Sequence, residues 1–242
     1  MDRIAPTRRP DESTVGAQTW QDLLFVHWPI PVEALRPLVP ESLTLDLYDG
    51  VAYVGVVPFA MKGVRPWWIP KAMAFNFLET NLRTYVHFKG EQPGVYFFSL
   101  EAASWLAVQA ARIGWHLPYH YAKMSMQKKE GQVVAYESIR QDRKKTRHYA
   151  HYRIGDAIGP HDPESIEFFF LERYLLYTEH NGKLSRGQVH HVPYPTHEVE
   201  LFDIEDGLVE AAGLPAPQGP PAFVHYSPGV EVDIFGLHHV PT

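Results

Sequence analysis

The stretch LTLDLYDGVAYVGVVPFAM, residues 43–61, contains the clearest turn signal in the chain. Asp49 and Gly50 stand between two strand-like runs, and this pair favours a two-residue type I′ hairpin turn because both central residues need positive φ. The incoming run alternates apolar and polar residues, whereas the outgoing run is apolar on both faces. The pattern predicts an antiparallel sheet in which the strand after the turn is central and buried.

Further strand patterns extend from this stretch. Asn181-Gly182 predicts a second hairpin, between Arg173–Glu179 and Lys183–Val192. Ser104 and Ser165 are suited to N-cap two short helices, the first of which is expected to be buried because apolar residues surround it. Another helix is predicted over Val32–Leu38. Other strand-like segments are Gln21–Trp28, Phe75–Phe88, Val95–Leu100, Tyr121–Gln127, Val133–Arg140, Tyr149–Ile154 and Phe223–Ile234. The sequence therefore predicts a mostly β (α+β) fold, an antiparallel barrel or sandwich with a few short helices.

Composition excludes several classes of protein. The 242 residues include no cysteine, and 22 Lys+Arg against 28 Asp+Glu give a net charge of −6. Disulfides, thiolate metal sites and cysteine nucleophiles are excluded, and the acidity disfavours binding of nucleic acid. We expect residues 1–15 to form a flexible N-terminal tail and residues 16–242 to form a single domain. Because no run resembles a signal peptide or a membrane span, we expect a cytoplasmic protein with no membrane partner.

The segment FNFLETNLRTYVHF, residues 75–88, has an unusual strand pattern. Glu79, Asn81, Arg83 and Tyr85 fall on one face, about 7 Å apart from one to the next. One interpretation is a polar patch inside a ligand cavity, in which Arg83 holds a carboxylate and Glu79 is an acid or base. The alternative is a solvated face or a structural ion pair.

Two other segments contain candidate site residues. In GWHLPYHYAKMSM, residues 114–126, Tyr119 and His120 precede Lys123, a lysine that could have a lowered pKa or could extend its ammonium group into water. In LERYLLYT, residues 171–178, Arg173 is either a buried anion clamp or a stacked surface group, and Tyr177 lies nearby.

The 14 histidines suggest a metal site, but the residues around them do not favour one. His148-x-x-His151, His190-His191 with His197, and His238-His239 are present without the HExxH or facial-triad context that gives such spacing meaning. Glycine-rich phosphate loops and the GxSxG signature are also absent. We expect neither a metal nor an organic cofactor.

Several blocks in order resemble the DUF2071 (YqjF-like) family, which is related to acetoacetate decarboxylase. The blocks are WQDLLFVHWPIPVEALRPLVPESLTLDLYDGVAYVGVVPF, ETNLRTYV, GVYFFSLEA, AVQAARIGWHLPYHYAKM, ERYLLYT and QVHHVPYP. The resemblance implies a double-layered, cone-shaped β-barrel around a pocket.

The resemblance also implies site residues. Glu79 is similar to the pocket glutamate of the decarboxylase. The reactive lysine pair of that enzyme follows a Gly-Phe-Pro-like turn, and the corresponding turn here, His116-Leu117-Pro118, is followed by Tyr119 and His120. The lysine pair is therefore missing from the matching place.

Three functional hypotheses follow. The leading one is a barrel that binds a small organic acid or polyketide-like molecule: Arg83 and Arg173 hold an anionic group, and Glu79, Tyr85, Tyr119, His120 and Tyr177 line the site. The second is a lyase or decarboxylase that uses Lys123 and Glu79. The third is a non-enzymatic interaction module built on Pro66-Trp67-Trp68. Homo-oligomerisation is left open.

Overall fold

The computed structural model describes residues 1–66, 68 and 70–241, and most of them are in strands. The strands are β1 Gly16–Ile30, β2 Thr44–Leu45, β3 Ala52–Pro66, β4 Phe75–Phe88, β5 Glu91–Ala102, β6 Tyr119–Lys129, β7 Val133–Arg140, β8 Arg147–Ile158, β9 Leu175–His180, β10 Lys183–His190, β11 Thr196–Asp206, β12 Phe223–Ile234 and β13 His238–His239. The helices are α1 Val32–Leu35, α2 Trp105–Trp115, α3 Ile166–Leu171 and α4 Leu208–Ala211. The predicted mostly β fold with a few short helices is confirmed.

The strands form one sheet that closes into two rings. Because β10 pairs with both β9 and β12, a seven-strand ring is formed by β1, β3, β4, β5, β9, β10 and β12. A nine-strand ring runs from β5 through β6, β7, β8 and β11 to β12 and returns through β1, β3 and β4. Most pairings are antiparallel, but β5 is parallel to both β6 and β9. The shared strands are therefore covered on both faces.

Both predicted glycine turns are present. Asp49 and Gly50 have φ of 47° and 79°, and Asn181 and Gly182 have φ of 51° and 70°. The second turn joins β9 to β10, as expected. The first differs in one respect, because β2 pairs with β4 rather than with β3, and only a bridge between residues 48 and 51 closes that turn.

Serine caps begin two of the helices. The Ser104 hydroxyl oxygen accepts from the Ala107 amide at 3.3 Å, and that of Ser165 accepts from the Phe168 amide at 3.2 Å. The expectation that α2 is buried is wrong: Trp105 and Leu106 are exposed, because the sheet covers only one side of the helix.

Among the described residues, no helix combines the length and hydropathy needed to cross a bilayer.

Helix α3 packs against the inner face of the seven-strand ring. Its residues Phe169, Phe170 and Leu171 are at most 1% exposed and share a core cluster with Phe25 and Tyr85. A six-residue helix of this kind is stabilised by the apolar surface that it buries rather than by its own hydrogen bonds. The interior of this ring is therefore largely apolar and aromatic, and any polar side chain that enters it needs a partner.

Residues 1–15, for which the sequence predicts a flexible tail, contact the sheet at several points. Arg3 donates two hydrogen bonds to Asp46, at 2.5 and 2.7 Å. Gln188 donates to the Pro6 carbonyl at 3.0 Å, and the Val15 amide donates to the Ile234 carbonyl at 2.8 Å. This segment therefore lies along the seven-strand ring, close to the end at which α3 stops.

Candidate functional site

The polar face of β4 points into the seven-strand ring. Glu79, Asn81, Arg83 and Tyr85 are respectively 2%, 5%, 9% and 1% exposed. They share a face because side chains alternate along a strand, and β3 and β5 flank β4 on either side. Four polar side chains are thus withdrawn from water at alternate positions of a single strand.

Glu79 is hydrogen-bonded to the tyrosine that follows the predicted turn. The Tyr119 hydroxyl donates to Glu79 Oε2 at 2.8 Å. Tyr119 arrives there because β6 runs parallel to β5, with Tyr119 in register with Leu100. The Arg112 guanidinium on α2 donates to the Tyr119 carbonyl at 2.7 Å, and Val108 of α2 shares a core cluster with Tyr119. The carboxyl–phenol pair therefore lies under α2.

Burial keeps Glu79 protonated at neutral pH. Desolvation raises the pKa of Glu79 to about 8, although the hydrogen bond from Tyr119 opposes the rise and the Glu101 charge adds to it. Glu101 lies on the opposite face of the sheet, where the Arg140 guanidinium donates to it at 3.1 Å. Burial raises the pKa of Glu101 as well, and the Arg140 charge opposes that rise, whereas Glu79 has only the Tyr119 phenol beside it.

Arg83 does not pair with Glu79. Arg83 is four positions beyond Glu79 along the strand, which places their backbones about 13 Å apart, and each side chain has another partner. The Arg83 guanidinium donates to the Phe170 carbonyl, near the end of α3, at 3.0 Å. The last four carbonyl groups of a helix receive no hydrogen bond from within the helix, and the Phe170 carbonyl is one of them. Arg83 Nε and Asn81 Oδ1 are buried and have no partner among the described residues.

Tyr85 belongs to a second hydrogen-bonded pair. Its hydroxyl lies 2.7 Å from His27 Nε2 and donates to the Phe170 carbonyl at 3.4 Å. Burial holds the pKa of His27 well below its usual value, so the imidazole is neutral. A Cβ on Gly55 would come within 3.0 Å of the His27 ring and 3.1 Å of the Tyr85 hydroxyl. Glycine at position 55 is therefore what lets the two side chains meet.

The Arg173 guanidinium is hydrogen-bonded to other groups of the protein. Its guanidinium donates to Asp46 at 2.7 Å and to the Phe169 carbonyl at 2.6 Å, and it lies 4.3 Å from the centre of the Phe169 ring. Asp46 also accepts from Arg3. Arg173 is thus buried and already holds one anion, the Asp46 carboxylate of the chain itself, while its Nη2 is buried without a partner among the described residues. Its role toward a ligand stays a prediction.

The remaining predicted site residues lie elsewhere. Tyr177 is on the opposite face of the sheet from Tyr85, and its hydroxyl donates to the Gln92 carbonyl. His120 follows Tyr119 and faces the other way, in register with Glu101; burial lowers the pKa of His120 to about 4. The two residues are excluded from the Glu79 site by strand alternation.

Lys123 does not fit the predicted catalytic role. It is exposed and is in register with Ile139, outside the row of buried residues on β7. Every other lysine whose side chain the structure describes is exposed as well. A lysine in water lacks the desolvation that would activate it. The described interior therefore provides no amine to form an imine.

The sequence did not single out several residues of this interior. Among them are His27, Trp20 and Tyr194, which strand alternation alone cannot distinguish from core positions. His191 was considered in the sequence only as a candidate metal ligand. No group of three or more His, Asp or Glu in the described ranges is arranged to hold a metal ion.

Two surface depressions, of about 200 and 430 Å³, lie along the N-terminal segment rather than at Glu79. In the proposed aromatic patch Trp68 is exposed, and Trp67 lies outside the described residues.

Comparison with known proteins identifies the family. The model of DUF2071, described as an uncharacterized conserved protein, matches residues 17–231. The chain belongs to the DUF2071 family. It is similar to the uncharacterized protein YqjF of Bacillus subtilis (strain 168), with 40% identity over 219 residues that cover 90% of this chain and 89% of YqjF.

Two solved structures show the same fold as this DUF2071 chain. The enduracididine biosynthesis enzyme MppR complexed with pyruvate matches with a TM-score of 0.66 and 12% identity, over 96% of this chain and 93% of that one. Acetoacetate decarboxylase from Legionella pneumophila matches with a TM-score of 0.62 and 12% identity, over 100% and 96%. The expected acetoacetate decarboxylase-like fold is confirmed, and at these identities the likeness concerns the fold alone.

Replacing Glu79 with glutamine is expected to change the pH dependence of stability. The folded protein keeps the Glu79 proton up to about pH 8, whereas the unfolded chain releases it near 4.5. The stability of the wild type should therefore fall, relative to E79Q, as pH rises from 4.5 to 8, by roughly 4 kcal/mol in total. Urea unfolding between pH 4.5 and 9 measures this difference. Parallel curves for the two proteins would contradict the assignment, and Glu164→Gln, at an exposed position, is the control.

Proposed function

We propose that this protein binds a small oxo acid inside the seven-strand ring and polarises its carbonyl group by hydrogen bonding, without forming an imine. The observation that supports this most directly is the hydrogen bond that the Tyr119 hydroxyl donates to the buried Glu79 carboxyl group, whose pKa burial raises to about 8. MppR, which shares the fold, has been solved with pyruvate bound. An oxo acid is thus a ligand class that a protein of this architecture accepts.

Each part of the ligand has a partner on the inner face of β4. Tyr119 donates to Oε2 of Glu79, so the carboxyl proton on Oε1 is available to a ligand carbonyl oxygen. Arg83 retains a buried Nε–H without a partner among the described residues, and this donor suits a carboxylate. Asn81 lies between the two. The ligand would lie along the strand with its carbonyl group at Glu79 and its carboxylate on the Arg83 side, and the Arg83 side chain would have to extend toward it because the two backbones are about 13 Å apart.

The absence of an interior amine among the described side chains separates this proposal from decarboxylation through a Schiff base. Tyr119 stands where the resemblance places the reactive lysine. A phenol can donate a hydrogen bond but cannot condense with a ketone. Hydrogen bonding to the carbonyl oxygen is therefore the chemistry that this pair of residues can offer.

Pyruvate affinity is expected to depend on the Glu79 proton. Above about pH 8 the wild type loses its donor, so its Kd should rise by about tenfold per pH unit. The E79Q variant presents an amide N–H at every pH, and its Kd should stay constant from pH 6 to 9.5. Isothermal titration calorimetry provides both curves. Methyl pyruvate, which lacks the carboxylate, should bind more weakly than pyruvate to both proteins. A wild-type Kd that is unchanged across pH 8 would overturn the role of Glu79.

Placing a lysine at position 119 should change the chemistry. With pyruvate and borohydride, Tyr119→Lys is expected to yield a covalent adduct at residue 119, because the new amine is buried beside Glu79 as the Tyr119 hydroxyl is. The wild type should yield none at Lys123. Intact-protein and peptide mass spectrometry report the outcome. An adduct at Lys123 in the wild type would restore the lyase hypothesis.

A further inference from the structure

Two unpartnered polar atoms lie elsewhere on the inner wall of the seven-strand ring. They are Nε1 of Trp20, on β1, and Nε2 of His191, just after β10; both atoms are buried and have no hydrogen-bond partner among the described residues. The two rings lie 5.8 Å apart. A donor and an acceptor thus belong to two neighbouring rings of the aromatic interior, and they are not hydrogen-bonded to each other.

Ring contacts connect this pair to the polar face of β4 on both sides. Trp20 lies 5.9 Å from Phe59, the register partner of Glu79. In the other direction, His191 lies 4.5 Å from Tyr194, Tyr194 lies 5.3 Å from Phe25, and Phe25 lies 5.6 Å from the Arg83 guanidinium. These contacts place Trp20 and His191 in the same interior as Glu79 and Arg83.

His191 is held in one orientation. It stacks on Tyr174 at 4.4 Å, and its Nδ1 lies 2.7 Å from the Val192 carbonyl. A carbonyl only accepts, so Nδ1 carries the hydrogen and Nε2 presents a lone pair. The Tyr174 hydroxyl is itself fixed by donating to Glu172 at 2.5 Å. Burial lowers the pKa of His191 to about 4, which keeps the imidazole neutral at pH 7.

An adjacent N–H donor and nitrogen acceptor are complementary to a hydroxyl group. The hydroxyl oxygen accepts from Trp20 and its hydrogen is donated to His191, whereas a carboxylate has no hydrogen to donate and a methyl group makes neither bond. We infer that Trp20 and His191 form a subsite for a hydroxyl group at the end of the ligand remote from its carboxylate. This inference rests on the proposed function and narrows the ligand to a hydroxylated oxo acid.

Calorimetry with two acids that differ by one hydroxyl group tests the subsite. The probes are 4-hydroxy-2-oxobutanoate and 2-oxobutanoate, and pyruvate is the short reference ligand. The wild type should bind the hydroxylated acid at least about tenfold more tightly, because a site built to hydrogen-bond a hydroxyl group rejects the analogue that lacks it. Trp20→Phe and His191→Phe should each abolish that preference and leave the Kd of pyruvate unchanged.

The outcomes separate the subsite from the proposed function. If the wild type binds pyruvate but does not distinguish the two longer acids, the subsite is overturned, and Trp20 and His191 serve only to hold a buried water. Retention of the full preference in both phenylalanine variants also overturns it. If none of the three acids binds the wild type, the proposed function falls together with the subsite. His191→Phe keeps an aromatic ring on Tyr174, and Trp20→Phe, which leaves His191 intact, provides an independent test if that variant does not fold.

Discussion

Burial of the polar face of β4 is the constraint on which the rest of the site depends. Once seven strands close into a ring, this strand has no face left for water, and its alternate polar residues must find partners inside. Arg83 finds the Phe170 carbonyl at the end of α3, and Tyr85 finds His27. Glu79 finds only Tyr119. The short α3 helix and the polar strand thus satisfy each other, whereas Glu79 is stable only with its proton in place.

Glu79 and Glu101 differ in the groups that oppose the effect of burial, which raises the pKa of both carboxyl groups. Both are buried and lie on opposite faces of the same part of the sheet. Arg140 supplies a positive charge to Glu101, which offsets the cost of taking a carboxylate out of water. No cation supports Glu79 among the described residues that shift its pKa. With Tyr119 in place of an amine, the pair can polarise a carbonyl group but cannot condense with it.

Local signals in the sequence were sufficient for much of the fold. The Asp49-Gly50 and Asn181-Gly182 turns follow from positive φ, and the caps at Ser104 and Ser165 follow from side chains that accept from free amides. Strand alternation also predicted that Glu79 and Arg83 share a face. These features depend on neighbours in the chain, so the order of residues specifies them.

Features that depend on distant contacts were not predictable in this way. The partner of Arg173 was not predicted, because nothing nearby in the sequence shows that the Asp46 carboxylate would reach it. The same holds for the Phe170 carbonyl at the end of α3, which accepts from Arg83. Lys123 was predicted to be a candidate reactive amine because the spacing of residues does not reveal which face of β6 is covered by other elements. Strand β11 was missed altogether: Val199 and Leu201 alternate with glutamates, but the alternation breaks at the bulge between Leu201 and Asp203, where the register with β8 shifts. The partners of these side chains and the exposure of these strands depend on how the sheet closes into rings, which is a property of the whole sheet.

The protonation state of Glu79 is the central claim, and carbon-13 NMR of the glutamate carboxyl groups measures it most directly. In protein labelled at the glutamate side-chain carboxyl carbon, one resonance should be absent from the E79Q spectrum, which assigns it to Glu79. We expect this resonance to titrate with a pKa of about 8. Titration near 4.5, the ordinary value for a glutamate, would contradict it.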